Sequence, residues 1–94
     1  GVKIKNMRTN EFSEMNIDGV FVLIGYIPNT ESFEGILELT PRKEIVTTRD
    51  METNIPGVFA AGDCTAKKYR QVTTAVADGT IAGLAAVEYL SYKK

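Results

Sequence analysis

Hydrophobic and polar positions alternate at the start of the chain. In GVKIKNMRTNEFSEMNI, Val2 and Ile4 alternate with Lys3 and Lys5, and the alternation resumes at Phe12 and from Met15 to Ile17. A period of two places one side of a strand toward a core and the other toward water. Residues 2–7 and 12–17 are therefore predicted to form a β-hairpin around RTNE, with Asn10 suited to an unusual turn conformation. VFVLIGY, residues 20–26, is continuously apolar, β-branched and aromatic. Its length and flanking turn signals predict a buried strand rather than a helix. Pro28 stops it, because proline lacks an amide proton and restrains Ile27. Residues 30–39 have no clear period and read as a helical turn or a packed loop. TPRKE is a turn and IVTT, residues 45–48, a short strand. RDMETNIPG is a polar connection, and VFAA, residues 58–61, is the next strand.

From Val72 the period changes. Val72, Ala75, Val76, Gly79, Gly83, Ala86, Val87 and Leu90 recur at threes and fours, which predicts a helix of about 20 residues and about 30 Å with one apolar stripe. Gly79 and Gly83 lie on that stripe. Glycine in a helix costs about 1 kcal/mol against alanine, so the pair predicts the close approach of another backbone. Lys93 and Lys94 suit the negative end of the helix dipole. The fold class expected is α/β, with short strands, an N-terminal hairpin and one long C-terminal helix.

Composition narrows the function classes. The chain has 94 residues, 44% hydrophobic and 24% charged, the balance of an ordinary soluble globular protein. Its formal charge is -1, from 11 basic and 12 acidic residues, so no nucleic acid or anionic membrane partner is indicated. One cysteine builds no internal disulfide, and the lack of histidine removes imidazole chemistry and most zinc sites. No apolar run reaches the roughly 18 residues of a membrane span, so a cytoplasmic location is the default. Gly1, followed at once by strand-like alternation, reads as the middle of a longer protein. Initiator removal or a tag scar is the other reading.

The candidate chemistry lies where VFAA runs into Gly62, Asp63 and Cys64. Ligands of α/β folds sit at the carboxyl ends of strands. Gly62 lets a ligand approach the backbone, and Asp63 offers a carboxylate that accepts hydrogen bonds from sugar-like hydroxyls. Such a pair suits a ligand carrying both a phosphate and a polyol. The plainer reading is that Asp63 caps a turn. Downstream, in YRQVTTAVADG, a helix starting near Gln71 would aim unpaired amides and a partial positive charge at a ring or anion. The plainer readings are a solvated helix start and a solvated Arg70. Cys64 reads as a small apolar packing residue.

TNIPGVFAAGDC followed by YRQVTTAVADGTIAG, with DGVFVLIGYIPNT upstream, resembles the C-terminal end of low-molecular-weight thioredoxin reductases. The flavin subunit of alkyl hydroperoxide reductase and thioredoxin-reductase-like ferredoxin–NADP reductases share these blocks. The resemblance spans essentially the whole chain. It implies the C-terminal part of a Rossmann-like fold that binds flavin adenine dinucleotide (FAD) and NAD(P). Residues 1–27 would close the nicotinamide-binding domain, and residues 28–94 would belong to the FAD-binding domain. Gly62 and Asp63 would contact FAD, the carboxylate at a ribityl hydroxyl and the Asp63 amide at the pyrophosphate. Arg70, Gln71 and Val72 would form the helix start against the isoalloxazine ring, with Thr74 a further lining residue. The parent would take electrons from NADPH, or NADH, and pass them through FAD to thioredoxin or a similar disulfide protein.

Two signatures of that chemistry are missing from this span. It has no G-x-G-x-x-G phosphate fingerprint and no C-x-x-C dithiol. No catalytic residue is therefore assigned here, and the chain alone is expected to be inactive. It is also expected to self-associate as a homo-oligomer through surfaces meant for the rest of the parent. The alternative is a non-enzymatic module that uses the same turn and helix for structure or partner binding.

Overall fold

The computed structural model describes residues 1–92. Two short strands, β1 (Val2–Lys5) and β2 (Phe12–Met15), open the chain, and one helix, α1 (Val72–Tyr92), closes it. A single 3-10 turn, Glu31–Phe33, lies between them. The α/β class, the hairpin and the long terminal helix agree with the sequence. Lys93 and Lys94, assigned above to the helix end, lie outside the described residues.

β1 and β2 pair antiparallel, with Val2 opposite Met15 and Lys5 opposite Phe12. The loop between them is ordered by Asn6. Its side-chain oxygen accepts the amides of Arg8 (2.9 Å) and Thr9 (3.3 Å), and its carbonyl accepts that of Asn10 (2.8 Å). Asn10 takes the left-handed conformation, φ 60°, which asparagine tolerates better than most residues. Lys3 sits over the Phe12 ring at 4.8 Å and also pairs with Glu14 in the register. The hairpin packs against no other named element.

Residues 20–26 correct the expectation of a buried strand. The segment is unpaired and bends at Ile24, and Phe21, Leu23 and Ile24 are each more than 90% exposed. β-branched and aromatic residues favour extended backbone, but a strand also needs a neighbour for its amides and carbonyls, and no described residue supplies one. The predicted strands at 45–48 and 58–61 contract for a similar reason. They survive as isolated bridges, with Ile45 antiparallel to Leu39 and parallel to Thr65, and Phe59 antiparallel to Glu52.

The segments around these bridges are shaped by two turns of one design. In Thr40–Glu44 and again in Thr48–Glu52, the threonine amide bonds the glutamate carbonyl, at 2.8 and 3.0 Å. In both, the threonine hydroxyl accepts the amides two and four residues on. The residue before each glutamate is left-handed, Lys43 at φ 68° and Met51 at φ 64°. T-x-x-x-E is therefore a repeated local motif, legible in TPRKE and TRDME. The buried aliphatic side chains among the described residues are Leu37 and Ile45, and beside them lies Thr30, 1% exposed. The Thr30 hydroxyl donates to the Lys43 carbonyl at 2.7 Å and so ties the 3-10 turn to the first of these turns.

Helix α1 turns a different face inward from the one expected. Ala75, Asp78, Ala82, Ala85, Ala86 and Tyr89 are half-buried, whereas Val72, Val76, Val87 and Leu90 are each more than 60% exposed. Gly79 and Gly83 meet nothing within 4 Å, so the backbone approach predicted at the glycines is not made by any described residue. The close approach occurs at Gly57 instead. Gly57 has φ 84°, and a Cβ there would lie 3.1 Å from the Tyr89 ring. Tyr89 also meets Phe59 edge-on, with centroids 6.2 Å apart.

The molecule is long and open. Its radius of gyration is 19.9 Å and its extents are 67 × 27 × 22 Å, whereas a compact chain of this length has a radius near 12 Å. No helix among the described residues is long and apolar enough to cross a membrane.

Candidate functional site

The GD turn is held by α1 and by the turn at Glu44. Gly62 is buried and left-handed at φ 92°, a conformation that a side chain makes costly. Its carbonyl accepts the Thr65 hydroxyl at 2.7 Å and the Thr65 amide at 3.1 Å, which curls the chain back after Asp63. Its amide donates to Asp78 Oδ2 on α1 at 3.3 Å. The same Asp78 oxygen takes an ion pair from Lys67, with both side chains mostly buried. Beyond the turn, Ile45 donates to the Cys64 carbonyl at 2.8 Å and accepts from the Ala66 amide at 2.9 Å. This is an isolated parallel bridge between Ile45 and Thr65, just after the GD turn.

Asp63 projects from this frame. Its Oδ1 is closed off from solvent and has no hydrogen-bond partner among the described residues. A buried polar atom left unsatisfied costs roughly 1–3 kcal/mol. Turn capping would give it a partner, so the orphaned oxygen weakens that plainer reading. A hydroxyl or amide donor would satisfy it.

Arg70 is not a solvated charge. Its Nη2 makes an ion pair with Glu44 Oε2, with the two side chains 23% and 11% exposed. Its Nε donates to the Asp63 carbonyl at 3.0 Å, and Nη2 reaches the Thr65 carbonyl at 3.5 Å. The guanidinium also lies over the Tyr26 ring at 5.2 Å, a cation–π distance. Glu44 is itself oriented by the Thr40 hydroxyl, which donates to its Oε1 at 3.1 Å. These groups border a cavity of about 470 Å³ that is also lined by Gly25, Pro28 and Arg42.

The start of α1 follows directly. Thr74 Oγ1 accepts the Gln71 amide at 3.1 Å and donates to the Gln71 carbonyl at 2.9 Å. This is half of a capping box. It commits the Thr74 hydroxyl to the helix start, whereas the sequence reading makes Thr74 a lining residue. Ala75 is the first amide to bond the Gln71 carbonyl, at 3.0 Å. The amides of Val72, Thr73 and Thr74 precede this first intrahelical donor and point outward from the helix end. Gln71 and Val72 are exposed there. The structure thus brings Gly62, Asp63 and Arg70 into one hydrogen-bonded cluster, with Gln71, Val72 and Thr74 adjoining it in sequence.

Sequence reading misses Glu44, Lys67 and Asp78. Asp78 carries a signal, a carboxylate set between alanines in the first half of an apolar helix. The T-x-x-x-E pattern marks the turn at Glu44 but not its pairing, because its partner lies 26 residues away.

Comparison with known proteins identifies the family. The sequence profile of the family described as pyridine nucleotide-disulphide oxidoreductase matches residues 1–79. The chain belongs to this family. Membership implies flavin and nicotinamide cofactors. Among relatives of this chain, a 34.2 kDa protein in the rubredoxin operon of Clostridium pasteurianum is 48% identical over 98% of the chain and 30% of its own length. Alkyl hydroperoxide reductase F of Pseudomonas putida is 46% identical over 96% of the chain and 17% of its own length. Thioredoxin reductase from T. acidophilum superposes on the whole chain, and on 31% of its own, with a TM-score of 0.86 at 37% identity. The Lactococcus lactis thioredoxin reductase gives 0.82 at 38% identity, over 94% of this chain and 29% of its own. The chain therefore spans less than a third of the length of these relatives.

Proposed function

We propose that this chain forms one wall of the FAD site of a thioredoxin reductase, an enzyme that passes electrons from NAD(P)H through FAD to a protein disulfide. Residues 1–27 close its nicotinamide-binding domain and residues 28–94 belong to its FAD-binding domain. In the whole protein, FAD supplies hydride and electron transfer between nicotinamide and disulfide. The residues of this chain hold and orient it. Asp63 accepts a hydrogen bond from a ribityl hydroxyl, and its amide faces the pyrophosphate. Arg70, Gln71 and Val72 form the helix start against the ring, where the partial positive charge of α1 favours the reduced, more negative state. NADPH is the donor, thioredoxin or a similar disulfide protein is the acceptor, and the enzyme works as a cytoplasmic homo-oligomer.

The observation that carries this reading is the buried, unpartnered Asp63 Oδ1 beside the start of α1. The test is flavin retention in the full-length protein. Asp63→Ala should weaken it by about 1–3 kcal/mol, the worth of a charge-assisted hydrogen bond. Unchanged flavin content after dialysis would remove Asp63 from the site.

The similarity to an alkyl hydroperoxide reductase favours a second reading of the acceptor alone. In that reading the same flavin site serves a peroxide-reducing system. Steady-state assays of the full-length protein with thioredoxin, and with a peroxidase partner, separate the two.

A further inference from the structure

Glu44 lies outside both the GD turn and the helix start, yet it is the most buried acid described, 8% exposed. Its carboxylate has two partners. Oε1 takes the Thr40 hydroxyl at 3.1 Å and Oε2 takes the Arg70 guanidinium. Through Nε, the same guanidinium holds the carbonyl of Asp63, whose side-chain Oδ1 is the orphaned atom of the site. Glu44 thus reaches the candidate cofactor residue through a single intermediary. Local backbone geometry places it there. The left-handed Lys43 ends a turn that projects Glu44 inward, and Ile45 next to it bonds both Cys64 and Ala66.

Removing one partner of a mostly buried ion pair leaves the other uncompensated. Here that other charge is Arg70, two residues before the start of α1. An unneutralised guanidinium there adds to the positive potential of the helix end. Loss of Arg70 alone would leave a bare carboxylate and reverse the sign.

We propose that Glu44 is a positioning and charge-setting residue of the flavin site. It orients Arg70, and through it Asp63, and it neutralises a cation that would otherwise bias a bound flavin toward its reduced form. This inference rests on the flavin reading given above. It commits that site to a balanced Glu44–Arg70 pair rather than to a free arginine.

The test uses full-length flavoprotein and its equilibrium reduction against a reference dye. Glu44→Gln should raise the reduced-to-oxidised ratio at fixed poise by about tenfold, the size expected for one charge at roughly 10 Å in a partly solvated site. For a two-electron couple that is about 30 mV. Arg70→Gln should shift the ratio in the opposite direction. Glu44→Gln combined with Arg70→Gln should return it toward wild type, and Glu44→Asp should remain near wild type because it keeps the charge. A packing role would not produce shifts of opposite sign that cancel. Should Glu44→Gln lose its flavin, retention restored in the double variant supports the pairing, and continued loss overturns it. Single variants that retain flavin with unshifted ratios, or that shift the same way, also overturn it and leave the flavin reading intact. A full-length wild-type protein that takes up no flavin removes the flavin reading itself.

Discussion

At the scale of single residues, the site depends on side chains whose polar groups are almost fully allotted. Thr30 is an example away from the candidate cofactor residues. It is 1% exposed, and its hydroxyl has the Lys43 carbonyl as acceptor at 2.7 Å. Thr30→Val keeps the shape and removes the donor. It should destabilise the full-length protein by about 1–2 kcal/mol, because the Lys43 carbonyl loses its donor. Chemical denaturation of the two proteins measures this, and identical midpoints would show that the bond contributes nothing. The loss should also loosen the turn that presents Glu44, since Lys43 immediately precedes it. Asp63 is the contrasting case, with a buried polar atom left over while Gly62 and Thr65 on either side of it are paired.

At the scale of elements, α1 and the GD turn are coupled through Asp78. One carboxylate oxygen serves both the Gly62 amide and Lys67. Asp78→Ala leaves a buried amide and a mostly buried ammonium unpaired, and should destabilise by about 2–4 kcal/mol. Asp78→Asn retains an acceptor for Gly62 and should lose less. Thermal unfolding monitored by circular dichroism distinguishes them, and equal losses would show that the Gly62 bond carries no weight. This coupling is half legible in the sequence. GD marks the turn, and the period of three and four marks α1 from Val72, but the stripe it assigns inward includes Val72, Val76, Val87 and Leu90 beside Ala75 and Ala86. In the structure the alanines and Asp78 face inward while Val76, Val87 and Leu90 face out. An apolar stripe tells that a helix has a face to cover, not which covering lies within the same chain. The hairpin is legible because its pairing is local. The apolar run at 20–26 misleads because strand formation depends on a neighbour, and period and composition carry no record of one. Arg70 stands out by resemblance, but its partner Glu44 belongs to a turn 26 positions earlier, and the local T-x-x-x-E signature there says nothing of the pairing.

At the scale of the whole molecule, exposed apolar surface dominates. The accessible surface is 7941 Å², against roughly 5,400 Å² for a folded monomer of this size. Much of the excess belongs to the unpaired segment at 20–26 and to the outer seam of α1. The seam runs through Val72, Val76, Gly79, Gly83, Val87 and Leu90, with glycines at its centre that leave room for a close neighbour. Contiguous apolar patches of this kind seldom stay in water on soluble monomers, and the small buried core offers little to oppose rearrangement. Purified as this 94-residue chain, the protein should therefore self-associate at micromolar concentration. Sedimentation velocity across a hundredfold dilution should show a coefficient that rises with concentration. Val76→Lys with Leu90→Lys places two charges on the seam and should reduce the association. A concentration-independent monomer would show that the unpaired segment and the seam fold back onto the chain in solution. The same sample should carry no stoichiometric flavin absorbance, because on the proposed reading Asp63 and the start of α1 are one side of a site whose phosphate-binding glycine fingerprint is not in this span.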